Sequence, residues 1–150
     1  MTRKLLIAAI TLFISVLSIA QSNPVKWTFE AKKIADKTYE IKYLATIDAP
    51  WHIYSQTTPE GGPIATKITV SKNPLLTLDG IAKENGKLIT KYEDVFGINV
   101  IYFDNKVEFV QVINLKTTAK TKINGAIQYM VCNDVQCLPP ATIPFSIELK

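Results

Sequence analysis

Cys132 and Cys137 are the only cysteines in the chain, and four residues separate them in the stretch YMVCNDVQCLPP, residues 129–140. Two cysteines at this spacing could staple the fold, contribute to a metal site, or exchange disulfides with another protein. A structural zinc site takes four protein ligands, and the only histidine to add is the distant His52. No metal is expected. If Asn133–Gln136 forms a four-residue turn, the cysteines fall opposite each other on antiparallel strands. Facing positions lie about 4.5–5.5 Å apart at Cα, within reach of a disulfide. As a staple the bond would be poorly sited: a six-residue ring gains about 2 kcal/mol, against about 4.7 kcal/mol for a 100-residue loop. A bond between near neighbours at a strand end can open without unfolding the domain. Spacing alone leaves the staple and the redox pair both open. Asp134 lies inside the turn with no lysine, arginine or histidine beside it. A carboxylate there opposes thiolate formation, which suits a relay of reducing equivalents better than a strong oxidant.

Something must hold this hairpin, and the sequence predicts strands for the purpose. In KTYEIKYLATI, Tyr39, Ile41, Tyr43, Ala45 and Ile47 share one face. Val107, Phe109, Gln111, Ile113 and Leu115 do the same in VEFVQVINL, and TKITV and FSIEL also alternate. Period-two patterning with high β-branched content reads as strand. No segment after residue 21 keeps a helical period over ten residues. Turn signals divide the runs at ADKT, PEGGP, KNP, ENGK and DNK. The last is expected to close a hairpin between NVIYF and VEFVQV. Seven or eight short strands at this spacing predict an all-β fold, an antiparallel immunoglobulin-like sandwich. Ile127, Tyr129 and Val131 should face one side, with Gln128, Met130 and Cys132 on the other.

The first twenty residues read as a secretory signal: a basic start at Arg3 and Lys4, an apolar core from Leu5 to Val16, and small residues at Ser18 and Ala20. Cleavage is expected after Ala20. The remaining 21–150 form one domain of sufficient length for a core. The apolar core of the signal is shorter than a spanning helix needs, and no later run is long enough, so no stable membrane insertion is expected after cleavage. Removing two basic residues leaves 15 basic against 13 acidic, lowering the formal charge from +4 to +2. The lysines are scattered, which argues against nucleic acid. Export places the cysteines where disulfides persist. No Ser–His–acid grouping suggests a hydrolase.

Beyond the hairpin, DAPWHIYSQ (48–56) followed by GGPIATKI, and KYEDVFGINVIYFDNKVEFVQ, stand in the same order as segments of a known family. With YMVCNDVQCLPP they make the chain resemble the amino-terminal periplasmic domain of the DsbD thiol:disulfide interchange family. The resemblance implies an immunoglobulin-like domain with a redox hairpin under a cap loop, and no cofactor. Cys132 and Cys137 would be the disulfide-forming redox pair, with Cys137 the one that forms mixed disulfides. Phe96 would be the shielding cap residue, Glu93 and Asp94 acidic cap positions, and His52 and Tyr54 aromatic positions bordering the cysteines. A thioredoxin-like domain or transmembrane disulfide reductase would donate electrons. A periplasmic disulfide isomerase or cytochrome-maturation protein would receive them. Because the sequence ends at Lys150, the donor is expected on a separate protein. The competing reading is a non-catalytic secreted binding module that keeps the disulfide as a staple.

Overall fold

The computed structural model describes residues 23–149, and they contain eleven strands and no helix. The signal-peptide expectation lies outside the described residues. The first sheet runs in the order β1 (Val25–Ala35), β2 (Thr38–Ile47), β8 (Lys106–Leu115) and β5 (Leu76–Gly86). A three-stranded sheet, β11 (Ala141–Leu149), β9 (Thr121–Tyr129) and β4 (Lys67–Val70), packs across from it. The remaining sheet orders β10 (Val131–Cys132), β3 (His52–Tyr54), β7 (Ile98–Asp104) and β6 (Ile89–Glu93). All pairings are antiparallel.

The alternation seen in the sequence builds the core. Tyr39, Ile41, Tyr43, Ala45 and Ile47 are all buried on β2, as are Val107, Phe109, Gln111, Ile113 and Leu115 on β8. Gln111 is tolerated there because its amide donates to the carbonyls of Asp79 and Gly80, satisfying its polar group. Aromatic contacts join the first sheet to the three-stranded one: Trp27 to Tyr129 at 5.3 Å, and Phe145 to Phe29 and Tyr43 at 5.7 and 5.0 Å between ring centroids. Such pairs add about 0.5–1.5 kcal/mol each beyond area burial.

Two expectations need correction. The strand count is eleven rather than seven or eight, because the chain breaks strands where it changes sheet. β3 has three residues and β10 only two, lengths at which periodicity carries no signal. The expected hairpin at Asp104–Lys106 is instead a corner. Both edges of β8 are already paired, with β2 and β5, so β7 turns away to pair with β3 and β6. Asn105 makes the corner in a left-handed conformation, φ 57°, which asparagine adopts more readily than most residues. By contrast ADKT does join β1 to β2 as a hairpin, with Lys37 at φ 58°.

Candidate functional site

The site grows from one register. Val131, Ile53 and Phe103 align across β10, β3 and β7 and are 3 %, 0 % and 1 % exposed, in the main core. Because side chains alternate along a strand, the neighbouring row faces the other way. That row is Cys132, His52 and Asp104, followed by Tyr54 against Tyr102. On β6, Lys91 lies opposite Val100 and Glu93 opposite Ile98. One sheet face therefore gathers Cys132, His52, Tyr54, Lys91, Glu93, Ile98, Val100, Tyr102 and Asp104.

Cys132 and Cys137 form a disulfide. Asn133 N–H donates to the Gln136 carbonyl at 2.9 Å and Leu138 N–H to the Val131 carbonyl at 2.8 Å. Those bonds bracket the cysteines as a non-hydrogen-bonded antiparallel pair, the closer kind; their Cα atoms are 4.0 Å apart. The Asn133 side chain fixes the turn by accepting from the N–H groups of Val135 and Gln136 at 2.9 and 2.8 Å, an Asx turn. The two sulfurs have unequal surroundings. Cys132 is 2 % exposed and packs with Tyr54 and Val100, flanked by Ile98, Tyr102 and Met130. Cys137 is exposed, and Val135 at the tip is 91 % exposed.

The loop from β6 to β7 carries the cap candidates. Its turn is closed by Phe96 and Gly97 N–H groups donating to the Glu93 carbonyl at 3.1 and 2.8 Å. Gly97 has φ +67°, a conformation costly for a side chain with Cβ. Phe96 is exposed, at 41 %, and its ring lies beside Gly62 in the loop 59–65, where the Ile98 side chain also arrives. Ile98 in turn packs on the cluster holding Cys132. Met130 joins the same loop, its sulfur accepting from Ile64 N–H at 3.4 Å. Val95, which was not among the site residues expected from the sequence, is the more open residue of this loop at 86 % exposure. Asp94 stands exposed in the turn.

His52 and Tyr54 touch: Nε2 lies 3.1 Å from the tyrosine hydroxyl. The imidazole also packs on Tyr102, ring centroids 4.3 Å apart. Burial pushes the His52 pKa below its ordinary value; Asp134, Glu93 and Asp104 pull upward and Lys91 downward. Burial also raises Tyr54, to about 12, with Glu93 adding to the shift. The backbone of this segment is tightly held. Thr66 donates to the Tyr54 carbonyl at 2.5 Å, and Glu84 accepts from Ser55 Oγ at 2.6 Å and Gln56 N–H at 2.7 Å.

Lys91 changes the electrostatic expectation for the hairpin. Its Nζ is 3.0 Å from Glu93 and 3.7 Å from Asp134, and the Glu93 hydrogen bond raises its pKa. The Asp134 carboxylate is thus not the only charge at the turn: a cation distant in sequence offsets it. Lys91, Tyr102 and Asp104 were not singled out from the sequence. Alternation of Ile98, Val100 and Tyr102 with Asn99 and Ile101, extended across the hairpin to Lys91, was the available signal.

The His52 shift has a consequence for stability. The unfolded chain holds this histidine near 6.5, the folded protein lower, so between those values the unfolded state binds more protons. Its contribution is complete above about pH 6.5 and is lost as pH falls toward the folded value. Urea midpoints measured from about pH 7 to pH 5 should fall more steeply for wild type than for His52→Gln. Parallel curves would remove His52 from the acid response.

The fold is similar to that of known structures. The N-terminal periplasmic domain of ScsB from Proteus mirabilis superposes with TM-score 0.56 at 17 % identity, covering 89 % of this chain and 49 % of that one. The chain thus spans about half the length of that structure. The reduced N-terminal domain of DsbD from Neisseria meningitidis gives TM-score 0.51 at 16 % identity, covering 81 % of this chain and 83 % of that one. A complex of the DsbD and PilB N-terminal domains from Neisseria meningitidis is also similar, at 13 % identity and TM-score 0.49, covering 80 % of each chain. No curated protein sequence matches the chain. At these identities the first two structures establish the fold alone, an immunoglobulin-like β-sandwich. The sequence itself goes further: residues 20–148 match the family described as thiol:disulfide interchange protein DsbD, N-terminal, and the chain belongs to that family.

Proposed function

We propose that the protein relays reducing equivalents in the periplasm by disulfide exchange through Cys132 and Cys137. The observation that carries this reading is the asymmetry of the bond: an exposed Cys137 joined to a buried Cys132 across a four-residue turn. A donor thiolate attacks Cys137, and the electron pair of the broken S–S bond passes to Cys132. The donor's second thiol then releases the donor as a disulfide, leaving the pair reduced. A client disulfide is reduced by the reverse sequence. In this reading residues 1–20 are the export signal, removed after Ala20, and 21–150 the working domain. The donor is a thioredoxin-like domain or a transmembrane disulfide reductase. Clients are disulfide isomerases or cytochrome-maturation proteins of the same compartment. The loop bearing Glu93, Asp94 and Phe96 serves as the cap over the pair, with His52 and Tyr54 at its border. Activity is that of a thiol–disulfide oxidoreductase.

The ladder that reaches the hairpin is the two-residue pairing of β10 with β3, and the long ladders of β9 with β11 and of β2 with β8 lie outside it, so reduction should leave the sandwich folded. A redox titration followed by circular dichroism tests both halves. The expected potential falls within the exchange range of roughly −120 to −270 mV, with spectra of the two states superimposable. A potential below about −300 mV, or unfolding on reduction, would instead favour a binding module with a structural disulfide.

A further inference from the structure

We propose that His52 is the proton acceptor for Cys132 when the reduced pair closes on a client, an inference that rests on the relay reading above. Closure sets Cys132 a physical problem. Its sulfur must attack as thiolate, yet the residue is 2 % exposed and packed among Tyr54, Val100, Ile98, Tyr102 and Met130. Burial in apolar surroundings holds a thiol protonated. A base must therefore reach it from inside the site.

His52 is the direct register partner of Cys132 across β10 and β3. Side chains on directly opposite residues have Cβ atoms about 4.5–5.5 Å apart. The groups facing the imidazole are the Tyr54 hydroxyl on its own strand, Tyr102 and Asp104 on β7, Lys91 and Glu93 on β6, and Asp134 after β10. The ring is held on two sides, by the Tyr54 hydroxyl at 3.1 Å and by Tyr102 at 4.3 Å between centroids. It also lines a polar cavity of about 320 Å³ with Trp51, Tyr102, Asp104 and Asp134. Cys132 is the cross-strand neighbour of the imidazole, and the cavity gives the ring an outlet for a proton. Burial keeps the ring neutral near pH 7, the form that can accept one.

The step balances. Cys137 has attacked the client and holds it as a mixed disulfide. The Cys132 thiol gives its proton to His52, and its sulfur attacks Cys137 Sγ. The Cys132–Cys137 bond forms as the Cys137–client bond breaks, with the electron pair leaving on the client sulfur. That thiolate takes up a proton, and the imidazolium returns its own through the cavity. The pair is oxidised by two electrons and the client disulfide is reduced by two.

The test uses the reduced, purified protein and 5,5′-dithiobis(2-nitrobenzoic acid), whose coloured thiolate is released once on attack by Cys137 and once on closure by Cys132. His52→Gln and His52→Phe are compared with wild type, the phenylalanine keeping an aromatic ring against Tyr102. Both variants should give a first release within about twofold of wild type and a second slowed at least about 100-fold near neutral pH, the low end of general-base effects. The second release of wild type should level off once His52 is neutral. In the variants it should keep rising about tenfold per pH unit until the thiol itself ionises. An unchanged second rate and pH profile in a folded variant overturns the role of His52 and leaves the relay standing. Failure of wild type to release the second equivalent overturns the relay itself, and the inference with it.

Discussion

Serine at position 132 is expected to leave a protein that still forms mixed disulfides readily, whereas serine at 137 is expected to leave one that barely does. The two substitutions remove one sulfur each and differ only in which remains. Cys137 is exposed beside the open turn residue Val135. Cys132 is 2 % exposed under Tyr54 and Val100. Disulfide exchange needs an approach to the attacked or attacking sulfur, so Cys132 reacts only after the hairpin opens. A local opening of about 3 kcal/mol lowers the reactive population, and hence the rate, by roughly 100-fold. The measurement is adduct formation with oxidised glutathione, followed by mass spectrometry. Capture of a thioredoxin-fold protein that lacks its own resolving cysteine would then be tested. Cys132→Ser should form both adducts and Cys137→Ser neither at a comparable rate. Equal rates would mean the asymmetry of burial does not direct the exchange. Absence of any adduct with a thioredoxin-fold partner would sink the relay.

The long strands were legible because their burial is one-sided. The faces read from KTYEIKYLATI and VEFVQVINL are the buried faces of β2 and β8. The turn NDVQ was legible as well, since asparagine at its start can bond the backbone two and three residues on. What the sequence concealed was long-range pairing. Nothing in DNK distinguishes a hairpin from a corner; the difference is that β8 already has neighbours on both edges. The same blindness hid Lys91. Read alone, the hairpin has an acid and no cation. Once β6 and β10 share a sheet, Lys91 stands 3.7 Å from Asp134. Phe96 is a subtler case, because only the family resemblance implied a shield, while its ring lies beside Gly62, a neighbour distant in sequence.

Alanine at position 125 is expected to destabilise the protein more than any change at the cysteines. Gly125 sits mid-strand on β9, paired with Val70 of β4 on one edge and Phe145 of β11 on the other. An added methyl would land on the carbonyl oxygen of Thr69 and against the Phe145 ring, with Cε1 at 2.9 Å. Neither neighbour can yield cheaply. The carbonyl belongs to a strand backbone, and Phe145 is 5 % exposed and wedged against Phe29 and Tyr43. Overpacking of a core costs about 1–3 kcal/mol, and here the β4–β9 ladder must shift as well. A loss of about 3 kcal/mol would lower the Tm by on the order of 10 °C, a large share of a typical total stability. Phe145→Leu alone should also destabilise, by opening space beneath Tyr43. In the Gly125→Ala background it should cost less than it does in wild type, since it removes one of the two clashes. Thermal unfolding of the four proteins gives the coupling directly. A Gly125→Ala midpoint within about 2 °C of wild type would show that β9 and β4 can part without cost. The same strand continues through Met130 into β10 and Cys132, so the close packing at Gly125 anchors the strand that leads into the cysteine hairpin.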